Sequence, residues 1–192
     1  MQGKKVILRR KRLEDAERDY AWRKDPELAR LDAAPPLTMS YQDYLAIYRD
    51  EYLASEASEI CLNGRRRIRL AIDTLDGQHI GNITLYDIDQ GRKQAELGIM
   101  IGDKRYWGMG YGTDAILTLL EWVFTETDLE RIYLHTLDWN ARARRCFEKC
   151  GFRQCRLTHE GRHQFVEMEL WRRDFPSRSR AGRRQEGKAA GT

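Results

Sequence analysis

The sequence predicts an α+β (mixed α/β) domain: a mostly antiparallel sheet with flanking helices and one strand–loop–helix–strand crossover near its middle. Three observations predict it. Helical spacing of apolar residues prevails up to about residue 55, then gives way to alternation from Ile68 onward. Three consecutive strand-like runs between 67 and 101 are separated by turn-length gaps. After them, a loop with glycine at 108, 110 and 112 leads directly into an amphipathic helix and a further strand. The order β, α, α, β, β, β, α, β, α, β, β suits neither an all-parallel nucleotide-binding sheet nor a plain sandwich.

Taken in order, VILRR (6–10) is a first strand. Residues 13–24 carry Leu13, Ala16, Tyr20 and Trp22 among many charges, as a surface helix does. Pro26 falls after it, at a place where a new helix could start, and Ala33-Ala34-Pro35-Pro36 breaks the chain. Ser40 is an N-cap before YQDYLAIYRDEYLA, whose Tyr44, Leu45, Ile47 and Tyr48 form an apolar stripe. Tyr41, Tyr44, Tyr48 and Tyr52 recur at helical spacing and read as core and rim. The run RRRIR (65–69) reads as a solvated loop and strand start. Asp76-Gly77 and the QGRK stretch are turns, so 67–101 is an antiparallel three-strand meander. A helix follows over 113–126 with Ala115, Ile116, Leu119, Leu120, Val123 and Phe124 as its core stripe. RIYLHTL (131–137) is a strand, NARARRCFEKC (140–150) a helix stopped by Gly151, and two strands near 152–158 and 163–171 finish the fold.

Composition bounds the function. With 41% hydrophobic and 33% charged residues, a chain of 192 residues is a globular domain long enough to bury a core without staples. The domain is expected over 1–176. Residues 177–192 hold five basic residues against one glutamate, so the net charge of +4 belongs to this tail. The tail lacks large apolar side chains and is expected to be disordered, as solvated chain or a weak anchor for RNA, ribosome or acidic lipid. The fold itself offers nucleic acid no basic face. No apolar run approaches a membrane span, and the N-terminus lacks the features of a signal peptide. A cytoplasmic protein with free thiols at Cys61, Cys146, Cys150 and Cys155 is expected. Cys146 and Cys150 suit a buried helix face and Cys155 a strand. No C-x-x-C pair is present, so no metal site is expected.

The glycine-rich turn is the informative stretch. Glycine allows close backbone approach and positive φ, and a helix start offers free N–H groups and the positive end of a dipole. The turn therefore suits a phosphate or diphosphate; a plain tight connection would also need glycine. It lacks the Gly-Lys-Ser/Thr of a Walker loop, and G-x-G-x-G is not the G-x-G-x-x-G of a dinucleotide site.

Two longer stretches add specificity. AELGIMIGDKRYWGMGYGTDAI and LERIYLHTLDWNARARRCFEKCGF, with HIGNITLYDID before them and a strand pair after, together resemble the GNAT superfamily of N-acetyltransferases, and within it the RimJ/RimL type. The resemblance covers about residues 6 to 172. It implies a sheet whose two central parallel strands splay apart, with acetyl-CoA as cosubstrate threaded through the gap. It places the pantetheine arm beside Ile99, Met100 and Ile101, and the pyrophosphate on the turn Trp107, Gly108, Met109, Gly110, Tyr111, Gly112 and Thr113. Asn140 matches the asparagine that contacts the arm. Phe147 stands where many members have the tyrosine that protonates the leaving thiolate, so Tyr106, Tyr111, Tyr133, water or unaided departure must serve instead.

The implied reaction is direct attack of a neutral amine on the thioester. A backbone N–H near Met100 would polarise the carbonyl. Glu96 is the candidate base, on the strand face shared by Gly98 and Met100; its competing roles are a structural carboxylate paired with an arginine and a carboxylate that only binds a cationic substrate. His135 reads as a strand residue. The acceptor is a protein N-terminus or a small amine such as a polyamine, amino acid or antibiotic, with residues 30–55 at its mouth. A catalytically silent acyl-CoA-binding module is the competing class, and a second copy of the chain is left open as a partner.

Overall fold

A computed structural model describes residues 1–57, 60–62 and 65–176, the side chains of 54–66 excepted. The expected tail at 177–192, Cys61, and the first part of the RRRIR run lie outside the described residues or side chains. The strands are β1 (Val6–Arg10), β2 (Ile60–Leu62), β3 (Arg65–Thr74), β4 (His79–Asp89), β5 (Gln94–Ile101), β6 (Arg131–Leu137), β7 (Arg153–Glu160) and β8 (His163–Trp171). The helices are α1 (Ala16–Lys24), α2 (Pro26–Leu31), α3 (Tyr41–Ala57), α4 (Tyr111–Glu126) and α5 (Ala141–Lys149). The sheet order is β1-β3-β4-β5-β6-β8-β7, with β2 paired to β3 off this path. All pairs are antiparallel except β5 with β6, whose parallel register is confined to residues 94–96 against 131–133.

The meander over β3–β5 is as the alternation predicts. Gly77, at φ +84°, makes the first turn. The strand β2 is new: its three residues are too few to show a period. One face of the sheet is apolar. Ile72, Ile83, Leu85, Leu97, Ile132, Leu134, Met168 and Leu170 meet Ala115, Ile116, Leu119, Leu120 and Val123 of α4, all buried. Each large side chain in this layer contributes about 1.5–3 kcal/mol of burial. Helix α4 starts at Tyr111, two residues earlier than expected, because Gly110 adopts the left-handed conformation that opens it.

The other face is polar, and here periodicity misleads. Leu13 is 38% exposed, whereas the buried positions of the 13–24 segment are Asp15, Ala16 and Asp19. These acids turn inward because the strands opposite carry bases. Arg9 holds Asp15 at 2.7 Å and Asp73 at 2.5 Å, and these bonds raise its pKa. Lys11 Nζ lies 2.8 Å from Asp19, which also accepts from Asn82 Nδ2 at 2.8 Å and meets His79 Nε2 at 3.2 Å. Likewise Ile47 is exposed and Tyr48 turns in, its hydroxyl donating to the Arg12 carbonyl at 3.2 Å. Arg67 and Arg69 are not solvated loop residues: they pair with Glu51 of α3 at 3.0 and 3.3 Å.

Asp19→Ala would leave Lys11 buried without its closest counter-charge. The expected loss is about 3–5 kcal/mol of unfolding free energy, measured by chemical denaturation. Burial opposes the ionised form of Asp19, but its bonds to His79 and Lys11 outweigh it and lower the pKa. A depressed carboxyl stabilises the fold above its unfolded pKa of about 3.9, and that contribution fades as pH falls toward the folded value. Among the described residues no helix is long and apolar enough to cross a membrane.

Candidate active site: a cavity between two parting strands

Pairing of β5 with β6 stops at Glu96 and Tyr133, and the strands then diverge toward their C-terminal ends. The gap is a cavity of about 370 Å³. Its walls include Ile99, Met100 and Ile101 of β5, Trp107, Gly108, Gly110, Gly112 and Thr113 of the turn and first turn of α4, and Asn140 and Phe147 from α5 and its cap. These expected residues, scattered over 49 positions of sequence, share one hollow. Two expected neighbours do not line it. Met109 is 57% exposed with its carbonyl accepting from Lys5 Nζ at 2.9 Å, and Tyr111 packs edge-on against Tyr106 at 5.0 Å.

The turn is built to present main-chain amides. Gly108 (φ +74°) and Gly110 (φ +84°) take conformations that strain any L side chain. The first intrahelical bond of α4 runs from Asp114 N–H to the Gly110 carbonyl, so the amides of 111–113 lie outside the helix ladder. Among the described residues no side chain caps this helix start at Gly110. Trp107 Nε1 donates to the Ile101 carbonyl at 2.7 Å, and the Arg142 guanidinium lies 3.5 Å from the centre of its ring. Arg142, Arg145 and Lys149 also line the cavity. Sequence reasoning passed over these three, although spacings of three and four put them on one face of α5.

Asn140 is both wall and cap: its Oδ1 accepts from Ala143 N–H at 3.2 Å. Phe147 is buried, edge-on to Phe152, with no proton to offer. Of the expected substitutes, Tyr106 faces the cavity. Cys150 is buried as expected, but Cys155 is exposed because β7 is the outer edge strand. Cys146 lies 3.3 Å from Thr113 Oγ1; its thiol is lowered to about 6, first by its hydrogen bond with Cys150 and then by that with Thr113, against an opposing effect of burial.

Glu96 does not line the cavity. It sits at the closed end of the split, its Oε1 3.0 Å from His135 Nδ1. The expected arginine partner is instead a histidine, because parallel pairing brings β6 alongside; Arg131 is occupied by Glu167 and Glu169 at 2.7 and 2.6 Å. The hydrogen bond to Glu96 raises the His135 pKa against the effect of burial. His135 Nε2 also lies 3.8 Å from Glu167 Oε2. Tyr133, T-shaped to His135 at 5.8 Å, has its hydroxyl pKa raised by burial. Among the described residues no three His, Cys, Asp or Glu side chains converge as metal ligands.

Residues 5–153 match the model of a family described as acetyltransferase (GNAT) domain. The human alpha/beta-tubulin-N-acetyltransferase 9 is 29% identical over 154 residues, covering 79% of this chain and 74% of that protein. A spermidine N(1)-acetyltransferase from Vibrio cholerae is 31% identical over 104 residues, 52% of this chain and 60% of that one. The crystal structure of a spermidine N-acetyltransferase from Vibrio cholerae in complex with CoA and spermine superposes with a TM-score of 0.72 at 20% identity, covering 88% of this chain and 96% of that one. At that identity the match speaks to the fold.

Proposed function

Because the chain belongs to the GNAT acetyltransferase family, we propose that it transfers an acetyl group from acetyl-CoA to a primary amine by direct attack in a ternary complex. The observation that carries this reading is the helix start without a side-chain cap at the open end of the split. Three amides and the positive end of α4 fit a diphosphate there, and Arg142, Arg145 and Lys149 supply the positive charge around it. From that anchor the pantetheine arm runs back along Ile99–Ile101, with Asn140 opposite. The thioester then points to the closed end, toward Gly98 and Glu96.

In this reading the amine nitrogen attacks the thioester carbonyl and the carbon–sulfur bond breaks. A β5 amide near Met100 stabilises the oxyanion. The ammonium proton passes to Glu96 and its partner His135, directly or through water. Phe147 donates nothing, so the thiolate leaves either unaided, its pKa being only about 8.5, or with a proton from Tyr106. RimJ/RimL-type action on a protein N-terminus and action on a small amine both fit: one relative is named for tubulin, another for spermidine.

Calorimetry with acetyl-CoA tests the cosubstrate, and thiol release over a panel of a peptide with a free N-terminus, spermidine and an aminoglycoside tests the reaction. Heat on binding and thiol release with at least one amine are expected. Binding without turnover on any amine would replace the enzyme reading with the silent module.

A further inference from the structure

Two carboxylates stand near the parting strands, and they differ in what they do. Glu96 is engaged by His135. Asp32 lines the cavity with Met100, Leu28 and Leu31, and among the described residues nothing makes a hydrogen bond or ion pair to its carboxylate. Arg23 acts on it only through space.

The local structure makes this acid unusual. Asp32 is the C-cap of α2, its N–H bonded to the Leu28 and Ala29 carbonyls, so its charge sits at the negative end of the helix. A cation is the favoured neighbour there; Arg30 of the last turn stacks on Trp139 instead, and among the described residues no basic side chain makes an ion pair with Asp32. The chain turns immediately afterwards at Ala33, which holds φ +53° without being glycine. That conformation costs about 1 kcal/mol and is maintained by the Ala34 N–H bond to the Ala29 carbonyl. Both ends of α2 are tied down: Lys104 bridges Asp25 and Glu27 at 2.8 and 2.7 Å, and Arg30 stacks on Trp139 at 4.6 Å. The helix thus spans from the segment after β5 to the turn before α5, across the open end of the split. The Asp32 side chain is exposed, and the protein around it raises its carboxyl pKa through desolvation while Arg23 acts the other way.

We propose that Asp32 is the docking carboxylate for the acceptor: unpaired on the α2 side of the cofactor cavity, it binds the ammonium form of an incoming aliphatic amine. Leu28 and Leu31 beside it would take the methylenes that carry that ammonium. The amine gives its ammonium proton to water as it leaves Asp32 and reaches the thioester from the α2 side as the neutral nucleophile, while the phosphates enter from the α4 side. This rests on the acetyl-transfer reading above and adds the residue that selects a cationic acceptor.

The test compares the wild-type chain with Asp32→Asn and Asp32→Glu, using spermidine and a peptide with a free N-terminal glycine as probes. Acetyl-CoA calorimetry and a thermal melt accompany each variant. Asp32→Asn is expected to raise KM for the amine about three- to fivefold, the loss of one exposed charge pair, with kcat within about twofold. Acetyl-CoA affinity is expected to stay within about twofold, and Asp32→Glu to recover part of the amine affinity. An unchanged amine KM in a folded Asp32→Asn variant that binds acetyl-CoA overturns the assignment. Wild-type protein that binds acetyl-CoA yet acetylates neither probe, or that gives no heat with acetyl-CoA, would instead bring down the underlying acetyl-transfer reading.

Discussion

Gly112→Asp is expected to weaken acetyl-CoA binding at least about a hundredfold while leaving the melting temperature unchanged or higher. The two effects have opposite signs for one reason. Residue 112 lies in the first turn of α4, where a carboxylate is favoured by the helix dipole and the free amides. A Cβ there meets Cys146 Sγ and Ile101 Cγ1 at 3.7 Å each, which is ordinary contact, and no positive φ opposes a side chain. The new charge would nevertheless occupy the place proposed for the diphosphate. Two like charges at about 5 Å repel by about 3 kcal/mol at an effective dielectric constant of about 20, and the diphosphate carries more than one. Calorimetry gives the dissociation constant and scanning calorimetry the stability. Unchanged affinity would mean that the phosphates bind elsewhere. Gly110→Ala is a less informative change, since at φ +84° it adds backbone strain to whatever it does to the ligand.

The second large effect is expected at Glu96→Gln, which should lower kcat by about a hundredfold or more if the carboxylate takes the proton, with acetyl-CoA affinity unchanged. The pH profile separates a base from a mere strut. Bonding to Glu96 raises the His135 pKa, so the pair is most tightly bound below the ordinary histidine value of about 6.5 and loosens as pH rises through the higher folded value. A protonated His135 leaves Glu96 a poor acceptor. The rate is therefore expected to climb through an acidic limb with an apparent pKa above about 6.5, and this limb is expected to vanish in Glu96→Gln. Neighbouring groups that shape it are Tyr133 on β6, Glu167 on β8 and Arg131, which neutralises Glu167 and Glu169. A glutamine variant with the same rate and the same limb would remove Glu96 and His135 from the proton path.

The glycine-rich turn was legible because all its information is contiguous. Three glycines at alternate positions between a strand and a helix dictate positive φ at 108 and 110, and the missing cap is visible in the letters themselves: no Ser, Thr, Asp or Asn precedes Tyr111 within the turn. The basic wall of α5 is written at spacings of three and four on a helix that also carries an apolar stripe, and only packing against the rest of the fold decides which of these residues line the cavity. The polar layer was not legible. Asp15 and Asp19 look like solvent-facing acids of a charged helix, and their burial depends on Arg9, Lys11, Asn82 and His79 arriving from other elements.

The sequence by itself determined the meander, the amphipathic α4 and the glycine-rich turn that opens it, all of which rest on periodicity and backbone preference within a few neighbouring residues. Tertiary structure alone decided that Glu96 is engaged while, among the described residues, no side chain pairs with Asp32. Glu96 meets His135 across 39 positions because two strands pair for three residues and then part. Asp32 faces that gap because α2 is tied to both sides of it. Side-chain chemistry is written locally, but the partner that satisfies or withholds a charge is set by contacts between distant segments.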